Sequence, residues 1–186
     1  MLRKSSLAFL RLTKKIQSGS LLKWIFIGVM QFGLTACAMG GFMDNYPMHS
    51  FSFDTDEDSP DAEVLDYEYG TSRQFGTHAN KERVAMGQVF PAWNTSGHMP
   101  RGDTLTVKWR IKNPKNRMEY IGYYEDKVDL RKRLPADITG LRVHFVVKGS
   151  QLYVYLISPD LKLTSEPVGP VRMYPSQKQV QIYPDQ

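Results

Sequence analysis

The sequence contains a single cysteine, Cys37, among 186 residues. A disulfide needs two cysteines, so none can form within the chain. The chain must therefore obtain its stability from a hydrophobic core, and a composition of 41% hydrophobic and 12% aromatic residues is enough to build one. A chain of this length predicts one domain.

Acidic residues are absent from residues 1–36, although this segment holds six of the 24 lysines and arginines. The remainder of the chain then has 18 basic residues against all 19 acidic residues. The formal charge of +5 belongs to the N-terminal segment, and the rest is close to neutral. Nucleic-acid binding requires a basic footprint on the folded domain, so we expect no nucleic acid as a partner.

Sequence signatures of catalysis are also missing. The sequence has no G-x-S-x-G elbow, no H-E-x-x-H, no paired cysteine or histidine at metal-ligand spacing and no glycine-rich phosphate loop. No pattern places two carboxylates across a substrate. We therefore predict no catalytic residue, no metal site and no cofactor, and we expect a protein that is not an enzyme.

An apolar segment follows the basic N-terminal residues. It counts 13 residues from Trp24 to Ala36, whereas a helix needs about 20 to span a bilayer. A basic flank before a short apolar core is typical of a signal peptide, which we assign to residues 1–36. The alternative is a retained membrane anchor followed by an ordinary buried thiol.

The apolar segment ends in Leu34, Thr35, Ala36 and Cys37. This stretch resembles the lipobox of bacterial lipoproteins. The resemblance implies that residues 34–36 are recognised by the lipid-transfer enzyme and by the signal peptidase. It also implies that Cys37 receives a diacylglycerol thioether and an acyl chain on its freed amine. Two or more chains give stable membrane anchoring, where one gives only marginal binding.

The residues after Cys37 bear on sorting and attachment. Lipoproteins kept at the inner membrane usually have aspartate next, whereas this chain has Ala38 and Met39. The resemblance therefore implies the periplasmic face of the outer membrane. Residues 37–48 contain glycine and show little pattern, which is typical of a tether. We place the folded domain at residues 49–186.

Alternation of apolar and polar residues predicts six or seven short strands in this domain. They are His49–Phe53, Ala62–Tyr69, Thr104–Lys112, Tyr120–Leu130, Leu141–Lys148, Gln151–Ile157 and Lys178–Tyr183. Leu65, Tyr67 and Tyr69 are predicted to share the inner face of one strand. Helical periodicity occurs only near residues 81–86. The pattern predicts an all-β fold, either a single β-sandwich or a small open barrel of immunoglobulin-like size.

The most acidic run contains Asp54, Asp56, Glu57, Asp58 and Asp61. It lacks the glycine at position six and the glutamate at position twelve that an EF-hand loop requires. We interpret it as a solvated acidic loop. The functional alternative is an acidic patch that speeds association with a basic partner.

Residues 71–102 show almost no periodicity, and a long irregular segment in a compact domain is often functional. We interpret its His78 and His98 as exposed loop residues. Its Trp93 is a candidate aromatic anchor for a partner.

Arg131, Lys132 and Arg133 form the one compact basic cluster of the domain. Exposure at a strand end explains such a cluster, and a partner-binding role is the alternative. His144 falls on the more polar side of its strand, where we expect it to be exposed or hydrogen-bonded rather than catalytic.

A second, looser resemblance covers most of the domain. The segments that carry it are Asp58–Asp61, Tyr67–Gly70, Met99–Asp103, Val107–Trp109 and Leu141–Pro159. They resemble small lipoproteins of Gram-negative bacteria, which are similar to immunity lipoproteins that neutralise phospholipase effectors of type VI secretion. The resemblance implies stoichiometric inhibition of an effector lipase by a rigid β-domain.

Three functions remain open at this stage. The first is a membrane-anchored, non-catalytic binding protein, including an immunity protein. The second is a structural or assembly lipoprotein of the outer membrane. The third is a periplasmic hydrolase.

Overall fold

The computed structural model of the protein describes residues 45–71, 76–161 and 169–185. The predicted signal peptide, Leu34, Thr35, Ala36, Cys37 and the tether up to residue 44 lie outside the described residues. Strands make up 52% of the structure and helices 7%. The all-β prediction is confirmed.

Eight strands and two short helices follow one another along the described chain. They are β1 Met48–Asp54, α1 Thr55–Asp58, β2 Ala62–Tyr69, α2 Lys81–Ala85, β3 Ala92–His98, β4 Thr104–Lys112, β5 Tyr120–Asp129, β6 Arg142–Lys148, β7 Gln151–Leu161 and β8 Gln177–Tyr183. One sheet has the order β3-β1-β6-β7-β8 and the other has the order β2-β4-β5. Strands β1 and β6 are parallel, and every other pair is antiparallel.

The two sheets enclose one hydrophobic core, to which both contribute buried side chains. Strand β4 shows why the sequence predicts this layer, because its alternate residues Leu105, Val107, Trp109 and Ile111 are all buried. Aromatic rings fill the centre, with the Phe51 ring stacked on that of Tyr69 at 4.8 Å between centroids. Neither sheet closes into a barrel, so the fold is a sandwich.

Within the segment 71–102, the described residues 76–102 contain more regular secondary structure than the sequence predicts. Strand β3 lies within it and pairs with β1 at the edge of the larger sheet. Its sequence lacks an apolar alternation because an edge strand buries little on either face. The predicted helix is confirmed as α2, whose Asn80 side chain accepts a hydrogen bond from the Arg83 amide at 3.0 Å.

The inner face of β2 differs from the prediction at one residue. A register shift separates Val64 from Asp66 in the pairing with β4. Val64 is therefore buried together with Tyr67 and Tyr69, whereas Leu65 is only half-buried. Because a bulge adds one residue, it reverses the face of the residues that precede it.

The larger sheet also buries part of its outer face. Val146, Tyr155 and Ile157 form a second small core with Val171, and Met173 and Tyr174 pack against it. The described residues just before β8, 169–176, therefore lie over the middle of the sheet, and we call them the cover. Side chains of β1 and β6 that point away from the main core are sealed beneath it.

Candidate functional site

Three polar side chains meet under this cover and form what we call the buried cluster: Ser52, Asp58 and His144. Ser52 Oγ lies 2.8 Å from His144 Nδ1, and His144 Nε2 lies 2.9 Å from Asp58 Oδ2. Ser52 and His144 are side by side because β1 and β6 run parallel in that register. Asp58 reaches them because α1 folds back over the sheet.

Local sequence explains how Asp58 arrives there. The Asp54 side chain accepts a hydrogen bond from the Glu57 amide at 3.0 Å and caps α1 at its start. One helical turn then carries Asp58 over the outer face of β6. Its other carboxylate oxygen accepts a hydrogen bond from the Arg172 amide, so it also fastens the cover.

The charge states of the buried cluster follow from its burial. Desolvation lowers the pKa of His144, and the hydrogen bond to Asp58 opposes this effect without overcoming it. A neutral imidazole donates through Nε2 to the Asp58 carboxylate and accepts through Nδ1 from the Ser52 hydroxyl. This order of serine, histidine and carboxylate has the connectivity of a proton relay.

The solvent exposure of the buried cluster determines which roles its side chains can have. The Ser52 and His144 residues are 0% exposed, and so is the Asp58 side chain. The Tyr174 ring stands edge-on to His144, and its hydroxyl lies 3.5 Å from Ser52 Oγ. A catalytic nucleophile must be accessible to its substrate, whereas these side chains are buried. Their hydrogen bonds instead connect β1, α1 and β6 with residues 169–176. Of the two positions predicted for His144, exposed or hydrogen-bonded, the structure shows the hydrogen-bonded one, because both faces of β6 are covered.

The acidic run is only partly the solvated loop that the sequence predicts. Asp56, Glu57 and Asp61 are exposed, whereas Asp54 caps α1 and Asp58 is buried. For Asp58 the solvated-loop prediction is wrong. Three exposed carboxylates remain as a candidate patch.

Trp93 is half-buried, and its role as an aromatic anchor stays a prediction. The side chain lies on β3 and packs against the main core. Its indole lies close to Gly76, where a Cβ atom would come within 2.7 Å of Nε1. His78 is also half-buried, and its backbone forms an isolated antiparallel β-bridge with that of Glu68. The prediction that His78 is exposed is therefore wrong.

His98 has the exposed position that the sequence predicts. Its Nδ1 atom lies 2.8 Å from the Tyr46 carbonyl. That contact holds the end of β3 against the residues that precede β1.

The basic cluster is largely neutralised by neighbouring acids. Arg131 pairs with Asp129 at 2.6 Å, and Arg133 donates to the Asp185 carboxylate and to a backbone carbonyl of β8. The hydrogen bonds from Arg131 lower the pKa of Asp129. Lys132 is the member of the cluster for which the described residues provide no salt bridge.

A different surface combines exposed apolar groups with ordered charge. It lies on β4, β5 and their connecting turn, and we call it the hairpin surface. Its members share the outer face or the tip of this hairpin. They are Arg110, Lys112, Lys115, Arg117, Met118, Tyr120, Ile121 and Tyr123, with Glu63 from β2.

The base of the hairpin surface is organised around Glu63. Its carboxylate lies 2.7 Å from Arg110 Nη2, 3.5 Å from Lys112 Nζ and 3.0 Å from the Tyr120 hydroxyl. The Arg110 guanidinium also stacks 3.8 Å from the centre of the Tyr120 ring. Burial alone would raise the pKa of Glu63, but hydrogen bonds from Arg110 and Tyr120 outweigh it and lower that pKa. The four side chains therefore form a fixed network.

Apolar side chains project next to this network. Met118 is 88% exposed, Ile121 61% and Tyr123 66%. They belong to the seven exposed large hydrophobic residues of the described chain. Three of them fall within six positions of one hairpin, whereas exposed residues scattered singly would need no explanation.

In the turn at the tip, the Glu119 carboxylate accepts hydrogen bonds from two asparagine side chains. Asn116 Nδ2 donates to Glu119 at 2.8 Å and Asn113 Nδ2 donates to it at 3.2 Å. Among the described residues, no carboxylate lies within salt-bridge distance of Lys115 or Arg117. The hairpin surface therefore carries unneutralised positive charge. The sequence alone does not reveal this surface, because outward charges on a strand are usually only solvated.

One further cavity, of about 520 Å³, opens beside α1 and the β6–β7 turn. Its lining mixes Asp61 with Lys148 and Arg172. These charges are of both signs and do not converge on one chemistry. Within the described ranges, no group of three histidine, cysteine or acidic residues is arranged to hold a metal ion.

Comparison with known proteins found no match: no family model, no curated protein and no solved structure resembles the chain. Among the described residues, no helix is long and apolar enough to cross a membrane.

Proposed function

We propose that the protein is a lipid-anchored binding protein of the bacterial cell envelope. In this proposal Cys37 carries the acyl chains and holds the protein on the periplasmic face of the outer membrane. The sandwich binds a protein partner and catalyses no reaction. The exposed and pre-ordered hairpin surface is the observation that carries the binding function.

The composition of the hairpin surface suits a protein interface. Tyrosine and arginine are the residues that most often dominate binding energy in interfaces. Arg110 and Tyr120 are already held by Glu63. Because they are fixed before a partner arrives, binding costs less side-chain entropy.

The position of the hairpin surface suits a tethered domain. His49, at the start of β1, lies 3.1 Å from Tyr69 at the end of β2. The Lys112 amide, at the hairpin, donates to the Asp61 carbonyl just before the start of β2. The hairpin surface and the start of β1 therefore occupy opposite ends of the sandwich. A partner that binds the hairpin surface therefore contacts the end of the sandwich remote from the start of β1.

The partner that we propose is a phospholipase effector, which the protein inhibits by one-to-one binding. Enzymes that act at a lipid surface expose apolar groups of their own, and such patches are sites of association. Met118, Ile121 and Tyr123 offer a matching apolar group. The proposal rests on this match and on the sequence resemblance to immunity lipoproteins.

Inhibition is tested with the mature lipoprotein in detergent and a phospholipase that co-purifies with it from membranes, and the absence of any such phospholipase would also count against the proposal. We expect activity to fall to zero at an equimolar ratio. The double variant R110A/Y123A should require a large excess of protein, whereas Val180→Ala on β8 should behave as the wild type. Full phospholipase activity at excess wild-type protein would refute the inhibitor proposal.

The anchor is tested separately in cells supplied with a labelled fatty acid. We expect label on the wild-type protein and none on Cys37→Ala, which should also keep its leader. A wild-type protein that stays unlabelled with its leader attached would contradict the lipoprotein assignment.

A further inference from the structure

Strand β5 forms an edge of the smaller sheet, and its charge is unevenly distributed. Its partner is β4, and among the described residues no strand pairs with its other side. Its second half, Glu125–Asp129, carries four charged side chains out of five. Its first half, Tyr120–Tyr124, carries none.

Edge strands normally avoid pairing with other chains by carrying charged side chains or proline. The second half of β5 follows this rule, and the first half does not. The unprotected half is also the half whose Ile121 and Tyr123 are exposed. Its backbone is therefore available to an added strand.

The charge around this half specifies the kind of strand. The hairpin surface has four cations, Arg110, Lys112, Lys115 and Arg117, and two acids lie on or beside it. These are Glu63 and, in the turn, Glu119, whose carboxylate accepts hydrogen bonds from asparagine amides. This end of the sheet thus has an excess of two positive charges, although the domain as a whole is close to neutral. A segment with acidic side chains complements this surface, and a basic segment is repelled.

We propose that the edge of Tyr120–Tyr124 binds an extended acidic segment of the partner protein, which adds to the smaller sheet as a further strand. Main-chain hydrogen bonds supply affinity in this mode, and alternate side chains supply specificity. Apolar residues of the segment contact Ile121 and Tyr123, and its carboxylates contact Lys115 and Arg117. This inference rests on the proposed binding function and adds the mode of recognition.

The probe is a fluorescent synthetic peptide of alternating valine and glutamate, titrated into the mature lipoprotein in detergent. The comparison peptide replaces every glutamate with lysine. We expect the glutamate peptide to bind at least about tenfold more tightly than the lysine peptide, and the difference to shrink as salt screens the charges. Equal binding of the two peptides would overturn the proposal.

Matched variants locate the contact. We expect Tyr123→Lys and the double variant K115E/R117E each to weaken binding of the glutamate peptide by about tenfold or more. The controls Val180→Lys and Lys178→Glu place single changes of the same kind on β8, one edge of the other sheet, and should leave binding unchanged. An equal loss from the β8 controls would contradict the assigned edge.

Hydrogen exchange distinguishes strand addition from contact with the outer face. An added strand should slow exchange of backbone amides within Tyr120–Tyr124, and unchanged exchange there would refute it. Dimers of the lipoprotein abolished by Tyr123→Lys would assign the edge to a second copy instead. If the phospholipase is inhibited but the peptide does not bind, the proposed function stands and this mode of recognition fails.

Discussion

Two polar networks in this sandwich each centre on one carboxylate, and they differ in what lies above them. Asp58 of the buried cluster lies beneath residues 169–176, with a side chain that is 0% exposed. Glu63 of the hairpin surface lies on an outer sheet face, with 18% of its side chain exposed. The sealed network joins parts of the fold, whereas the open network presents cations and tyrosines to solvent.

The comparison shows why chemical identity alone does not reveal a site. The buried cluster contains the residue types of a hydrolase triad, but all three side chains are buried. The hairpin surface contains no reactive group, but its exposed side chains are ordered. Burial therefore separates a structural role from a binding role more sharply than residue type does.

The largest expected effect concerns the sealed carboxylate. Replacing Asp58 by alanine leaves the buried His144 and the Arg172 amide without their acceptor. We expect Asp58→Ala to lower the free energy of unfolding by about 3 kcal/mol or more, measured by urea denaturation. The exposed Asp56 of the same run provides the control, since Asp56→Ala should change stability by less than about 0.5 kcal/mol. Equal losses from both would show that Asp58 is not sealed.

The second largest effect that we expect is a loss of stability in acid, to which His144 of the buried cluster contributes. Burial lowers the pKa of His144, and it also lowers that of His49. Below the unfolded value of about 6.5, the unfolded chain binds protons that the folded chain does not, so stability falls as pH decreases. The maximum slope is about 1.4 kcal/mol per pH unit for each histidine.

Urea unfolding between neutral pH and pH 5 measures this slope. The variant His144→Gln keeps a donor for Asp58 and an acceptor for Ser52 but does not titrate. We expect it to remove the part of the slope that belongs to His144 and to leave that of His49. A slope identical to the wild type would contradict the assignment of a neutral, buried His144.

A smaller effect is expected at the open network. Glu63→Gln keeps an oxygen acceptor but removes the charge that holds Arg110 and Lys112. We expect a loss of about 1 kcal/mol in the free energy of unfolding, because the pairs are only partly buried. Glu68→Gln on the same strand is the exposed control and should be close to neutral. A loss as large as that of Asp58→Ala would erase the difference between the two networks.

The main core could be predicted from the sequence because it depends on local alternation. Strand β4 places every second residue inward, and the β6–β7 turn brings Lys148 opposite Gln151 as a two-residue hairpin requires. Gly149 in this turn has φ +57°, which glycine adopts without strain. Such patterns are contained within a few residues, so no knowledge of the tertiary structure is needed.

The buried cluster could not be predicted, because its members are far apart in the chain. Asp58 and His144 are separated by 86 positions, and Ser52 and His144 by 92. Only the parallel pairing of β1 with β6 brings them together. The cover over His144 likewise depends on Val171 and Tyr174, which follow a proline-rich stretch without strand periodicity.

The smallest change in stability should accompany a large change in binding. Tyr123 is 66% exposed on the hairpin surface, so Tyr123→Ala removes little buried area. We expect the free energy of unfolding to change by less than about 0.5 kcal/mol, and binding of the glutamate peptide to weaken by about tenfold or more. Asp58→Ala should show the opposite result wherever the domain remains folded, with lower stability and unchanged affinity. If Tyr123→Ala instead lowers stability and leaves affinity intact, the open network is structural and the contrast with the buried cluster fails.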